Sequence, residues 1–210
     1  MSGITAADVK KLRDETGAGM MDCKRALTEA RGELEAARDL LRKWGMASAQ
    51  KRASRVASEG AVEAYLHRSD PELPPRKGVL VELNCETDFV AKTPEFKELA
   101  RDIAMHVAAM EPRWIAKADV PEDWIERERK IVLDSPQVAG KPPQIVDKIV
   151  EGKINAILAD RGGVLLEQKF VKDETGKTTV GDLVQNLASS VRENVVVRRF
   201  ARFAIGEETE

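Results

Sequence analysis

The sequence is poor in the side chains on which catalysis, metal binding and disulfide frameworks depend. Among 210 residues there are two histidines and two cysteines, and aromatic residues make up 4%. So few His and Cys supply neither a nucleophile–base triad nor a soft-metal site. Cys23 and Cys85 lie far apart in the chain and form neither a disulfide framework nor a CxxC knuckle. Both stand on apolar-patterned positions, where a free cysteine behaves as a small buried hydrophobe. No apolar run reaches the ~20 residues of a helical membrane span. The first residues carry neither an apolar signal core nor an Arg/Ser-rich, acid-poor transit pattern, so a cytoplasmic chain is expected. There is no GxGxxG. Thr16-Gly17-Ala18-Gly19 lacks the Gly-Lys-Ser/Thr ending of a phosphate loop and follows a helix, not a strand. A net charge of −2 argues against a dominant nucleic-acid surface.

What remains is an ordinary globular composition with 33% charged residues, long enough for one sizeable domain or two small ones. The N-terminal part reads as three short helices. Thr5 is an N-cap, with Ile4 and Val9 as a hydrophobic staple and Leu12 on the same apolar side. Gly17 ends the first helix. A second runs from Met20 to about Arg31, with Cys23, Leu27 and Ala30 inward, and stops at Gly32. A third begins at Glu33, turns Leu34, Ala37, Leu41 and Trp44 inward, and stops at Gly45. The core of such a module is small. Met20 and Met21 are adjacent and point about 100° apart on a helix, so both cannot face that core equally. Either one fills the core and the other is an incidental surface residue, or the flexible thioethers form a protein-binding surface.

Residues 46–59 are Ala/Ser-rich and basic, with Lys51, Arg52 and Arg55, and read as an exposed helical linker. Ala61–His67 and Val79–Cys85 are expected to form an antiparallel hairpin, joined by a loop punctuated by Pro71, Pro74, Pro75 and Gly78. Val79, Val81, Leu83 and Cys85 alternate onto one side, as a mostly buried strand requires. The alternation breaks at Glu86-Thr87-Asp88-Phe89-Val90. Thr93 and Pro94 then suit the N-cap and first position of a helix running to Met110, with Phe96, Leu99, Ile103 and Val107 on one face. A loop anchored on both sides presents Asp88 beside Phe89. Phe89 either turns back into the core, as large apolar residues mostly do, or stands out as a wedge. His106 reads as a surface or satisfied residue. Helices are expected over 121–133 and 142–160, the second with Ile145, Ile149, Ile154, Ile157 and Leu158 inward. A short extended piece follows at 164–171, then a helix over 178–192 capped by Thr179, and a last strand over 195–205. The fold class is α+β: a three-helix module (1–45), a basic helical linker (46–59), and a core (60–210) with a small antiparallel sheet packed against helices.

Two stretches carry a specific likeness. Leu12–Leu27, LRDETGAGMMDCKRAL, and Asn84–Lys92, NCETDFVAK, resemble the two signature motifs of bacterial elongation factor Ts, in the same order and separation. Glu193–Phe203, ENVVVRRFARF, resembles that family's last strand. The resemblance implies a ubiquitin-associated-like N-terminal module and guanine nucleotide exchange on the GTPase elongation factor Tu. It implies that Arg13, Met20 and Met21 contact the GTPase domain, and that Thr87, Asp88, Phe89 and Val90 reach toward the nucleotide's Mg²⁺ site and dislodge the metal. Under that likeness the protein acts by binding, is not an enzyme, and needs no cofactor or metal of its own. About 155 residues follow the linker, room for one core half, so a homodimer in a two-to-two complex is expected, with no membrane and no direct nucleic-acid partner. Two other classes stand beside it. A generic ubiquitin-associated or nucleic-acid-binding module would draw on the linker and Arg198, Arg199 and Arg202. A hydrolase pairing Asp88 with Glu86 lacks a nucleophile or metal.

Overall fold

The computed structural model describes residues 4–16, 18–70 and 72–207, so the expectations for Gly17 and Pro71 lie outside the described residues. Three helices open the chain: α1 (Ala6–Thr16), α2 (Met20–Glu29) and α3 (Leu34–Ala53). Strands β1 (Glu59–His67) and β2 (Lys77–Cys85) follow, then a single turn α4 (Asp88–Ala91) and the long α5 (Pro94–Met110). The chain continues through α6 (Glu122–Leu133), α7 (Pro143–Ala159) and α8 (Val180–Val191), and ends in β3 (Val196–Ala204). The three strands form an antiparallel sheet in the order β1-β2-β3.

The chain divides into two compact units. The first comprises Met1–Ala61, Leu83–Lys97 and Val184–Val196, and the second comprises Val62–Glu82, Glu98–Leu183 and Val197–Glu210. In the first unit, the Asp8 backbone N–H donates to Thr5 Oγ1. The Asp8 carboxylate in return accepts from the Thr5 N–H and hydroxyl, a reciprocal cap at the start of α1. Val9, Leu12, Cys23, Ala26, Leu27 and Ala37 form the buried core of the three helices, with Ile4, Leu34, Leu41 and Trp44 packed against it. Gly60 has φ +152°, and a Cβ there would lie 2.2 Å from the Leu83 carbonyl oxygen; only glycine admits this approach.

In the second unit, Trp114, Trp124, Ile125 and Val146 surround a core of Val120, Val132, Val150, Ile154, Leu158 and Val164. His106 is fully buried and satisfied. Its Nε2 pairs with Gln168 Oε1 at 3.0 Å, and its Nδ1 accepts the Val171 N–H. That geometry holds the neutral ring, and burial pulls its pKa below the ordinary histidine value.

Four expectations need correction. Gly45 does not stop the third helix, which runs on to Ala53. A helical glycine costs only about 1 kcal/mol, and the good helix formers after it carry the turn through. Arg52 is buried, its guanidinium donating to Ser189 Oγ, so that part of the linker is not a solvated face. Residues 164–171 are not extended. Leu165–Glu167 is a 3₁₀ turn between single bridges, Val164 to Trp114 and Lys169 to Thr179. Ile145 is exposed. The inward row of α7 is Val146, Val150, Ile154 and Leu158, one position out of register with the expected start.

Candidate functional site

The site begins where β2 ends. Cys85 is the last buried residue of the strand, and its thiol donates to the Thr87 carbonyl. Burial raises the Cys85 pKa, so it stays a protonated thiol. Thr87 is the N-cap of α4, its Oγ1 accepting from the Val90 N–H. The segment expected as a loop is thus one helical turn. Thr93 Oγ1 then accepts the Phe96 N–H and starts α5 as expected. Val90 is buried and serves as the apolar foot of the turn.

A second chain segment pins this turn. The Glu193 carboxylate accepts from the Glu86 N–H and the Thr87 N–H, both at 3.0 Å, and from the Thr87 hydroxyl at 2.6 Å. The Glu86 carboxylate accepts the Asn194 N–H at 2.6 Å and the Arg55 guanidinium at 3.4 Å. Asn194 Nδ2 donates to the Arg55 carbonyl at 2.9 Å. Residues 193 and 194 therefore hold the turn from one side and the end of the linker from the other.

Held this way, Phe89 is 78% exposed. Of the two sequence alternatives, the buried one is excluded. Asp88 pairs with Lys92 one turn on, and the Lys92 ammonium lies 5.9 Å from the Phe89 ring centre. The Lys92 hydrogen bond holds the Asp88 carboxyl below its ordinary pKa. Glu86 is tied to Asn194 and Arg55, whereas Asp88 is paired with Lys92. Among the described residues no cluster of His, Cys, Asp and Glu could hold a metal ion.

The other sequence-chosen residues lie on the three-helix part of the same unit. Met20 is 52% and Met21 71% exposed, on the first turn of α2, and Arg13 is exposed on α1. The tight approach at Gly19 leaves room for the Arg192 side chain: a Cβ on Gly19 would lie 2.9 Å from Arg192 Nη2. Arg192, in the left-handed region at φ 61°, pairs with Asp22 at 3.7 Å. Three successive residues, Arg192, Glu193 and Asn194, thus touch the methionine helix, the Phe89 turn and the linker. In the sequence Glu193 and Asn194 stand only as the first residues of the stretch that resembles the family's last strand, and nothing local there points to partners a hundred residues away.

Several of the basic residues singled out in the linker and the last strand have partners within the chain. Arg52 is buried, Arg199 pairs with Glu82 at 2.6 Å, and Arg202 pairs with Glu207. No helix among the described residues is long and apolar enough to cross a membrane.

Comparison with known proteins agrees with the two motifs. The family described as "Elongation factor TS" matches residues 33–207. A curated relative named Elongation factor Ts, from Frankia alni, is 51% identical over 205 residues, covering 98% of both chains. The protein of that name from Desulfitobacterium hafniense is 50% identical over 210 residues, covering 100% of this chain and 93% of its own. That from Fervidobacterium nodosum is 48% identical over 204 residues, covering 97% and 99%.

Proposed function

The chain belongs to the elongation factor Ts family and is a translation elongation factor, and from that premise we propose that it is the guanine nucleotide exchange factor of elongation factor Tu. The observation that carries this reading is Phe89, an aromatic ring exposed on a turn fixed by Glu193. Arg13, Met20 and Met21 dock the GTPase domain. Thr87, Asp88, Phe89 and Val90 then meet the segments that bear the nucleotide's Mg²⁺. Metal bridging the phosphates to the GTPase contributes much of nucleotide affinity, so a ring competing for the packing of those segments loosens GDP. Asp88 engages the polar groups so released. No covalent step and no cofactor are needed. The coupling is reciprocal: GDP weakens the factor by the same ratio as the factor weakens GDP, and rebinding GTP releases it. We place the reaction in the cytoplasm, and treat residues 1–45 as a ubiquitin-associated-like docking module and 60–210 as the core.

We propose further that the factor works as a homodimer, two copies with two GTPases. Support comes from the sheet. Gly78 approaches Leu66, and Glu82 pairs with Arg199, which fixes which alternate positions share the face away from the core. That face carries Val62, Leu66, Leu80 and Phe203, all exposed, and the Glu82–Arg199 ion pair on it joins opposite charges. A second copy would meet a largely apolar surface there. Leu80→Glu with Phe203→Glu is expected to give monomers by sedimentation, and an unchanged mass would reject this face.

The test of the function is release of fluorescent GDP from elongation factor Tu with and without this protein. Acceleration at catalytic amounts is expected, and an unchanged rate would overturn the assignment.

A further inference from the structure

We propose that Glu193 is a positioning residue for exchange: it sets the attitude of the Phe89 ring without touching the partner. The proposal rests on the reading of the Phe89 turn as the acting element. Its ground is the convergence of three donors on one carboxylate. The Glu86 N–H, the Thr87 N–H and the Thr87 hydroxyl all end on Glu193, at 2.6–3.0 Å. These are the donors at the start of a four-residue turn that has no length of its own to be stable. An isolated turn of that size would sample many conformers. An ionised acceptor that takes two adjacent amides and the cap hydroxyl selects one.

The same residue leaves Thr87 Oγ1 correctly placed for its other task. Its hydrogen goes to Glu193, which frees its lone pairs to accept the Val90 N–H. Val90 is thereby seated in the core, and Phe89, its neighbour, is turned out. Glu193 is itself held in place. Asn194 closes onto Glu86 and the Arg55 carbonyl, and Arg192 closes onto Asp22. The segment Arg192–Asn194 thus touches both the helix that bears the methionines, through Arg192, and the turn that bears the ring, through Glu193.

The experiment uses the full chain and elongation factor Tu loaded with fluorescent GDP. Glu193→Ala, and Glu193→Gln should Ala impair folding, are compared with Phe89→Ala over a range of factor concentration. The expected result is a maximal release rate about tenfold lower, some 1.4 kcal/mol of barrier, with the half-saturating concentration unchanged. Amide hydrogen exchange of the free variant is expected to be faster over 86–92 and unchanged over α1–α3. Glu193→Asp, which keeps the charge but is shorter, is expected to recover part of the rate. A shift in half-saturation alone would overturn the proposal, since that marks a docking or folding role. So would an unaltered maximal rate where Phe89→Ala is slow, which leaves the exchange function standing. If Phe89→Ala is also without effect while the unaltered protein accelerates release, the Phe89 turn is not the acting element and the proposal falls with it; only a wild-type protein without effect removes the exchange reading. Hydrogen exchange over 86–92 then decides whether Glu193 holds the turn at all.

Discussion

Met20, Met21 and Phe89 are all exposed apolar residues on one compact unit, yet the chain supports them by opposite means. The methionines ride on a ten-residue helix whose inner side is Cys23, Ala26 and Leu27, in a core of small and aliphatic side chains. Among the described residues no hydrogen bond fixes their thioethers, and such flexible side chains adapt to what they meet. Phe89 stands on a four-residue turn whose own buried residue is Val90, and the contacts that fix its start are hydrogen bonds to Glu193. Apolar packing yields by degrees, whereas a set of short hydrogen bonds to a carboxylate is satisfied in one arrangement. Under the proposed function, the difference divides the labour: the soft residues would find the partner and the stiff one act on it.

The severest way to break this comparison is to remove the platform under the methionines. Leu27 is fully buried, and Leu27→Ala is expected to cost about 2–5 kcal/mol, a large share of the stability of so small a core. Circular dichroism during urea unfolding should show α1–α3 melting early, while amides over 84–92 keep their protection. Loss of both together would mean that the two supports are one cooperative structure. Next in size is Phe89→Ala. It should leave the melting curve unchanged and slow catalysed GDP release at least about tenfold, or 1.4 kcal/mol, in stopped flow. Met20→Ala with Met21→Ala should be milder: association weaker by about fivefold, near 1 kcal/mol, with an unchanged rate at saturation. A lowered saturating rate would erase the distinction between finder and actor.

The smallest effect is a control that touches neither region. Glu111 accepts from Arg161 and Lys77, which hold its carboxyl at about 2 against an ordinary 4.5. Because the folded pKa is depressed, its contribution is complete above pH 4.5 and lost as pH falls toward 2. Glu111→Gln is therefore expected to flatten that part of the acid-unfolding profile and to leave exchange at neutral pH unaltered.

The sequence made the supports of the Met pair legible and those of Phe89 illegible, for a physical reason. Helical spacing, Thr5 at a cap and the alternation of Val79, Val81, Leu83 and Cys85 are local patterns, and each element appeared close to where it was expected. The exposure of Phe89 follows from Glu193, which no period of 2 or 3.6 connects to Thr87. Local pattern alone left burial and presentation both open, and only the paired signature motifs tilted the choice. Gly45 and Arg52 misled in the opposite sense. Each was read by residue type, whereas helix continuation and the depth of a long side chain are decided by what packs nearby.

The polar grip on the turn also has a consequence for how the protein comes into being. Glu86 and Thr87 meet partners 106–108 residues further along the chain. A nascent chain emerges from its N-terminus, so the three helices and the β1–β2 hairpin can form while Arg192–Asn194 is still unmade. Until those residues arrive, Asp88–Ala91 has no cap beyond its own threonine, and contacts of such long sequence separation are late to close. The three-helix core that carries the methionines can therefore form early, whereas the aromatic turn completes its contacts last.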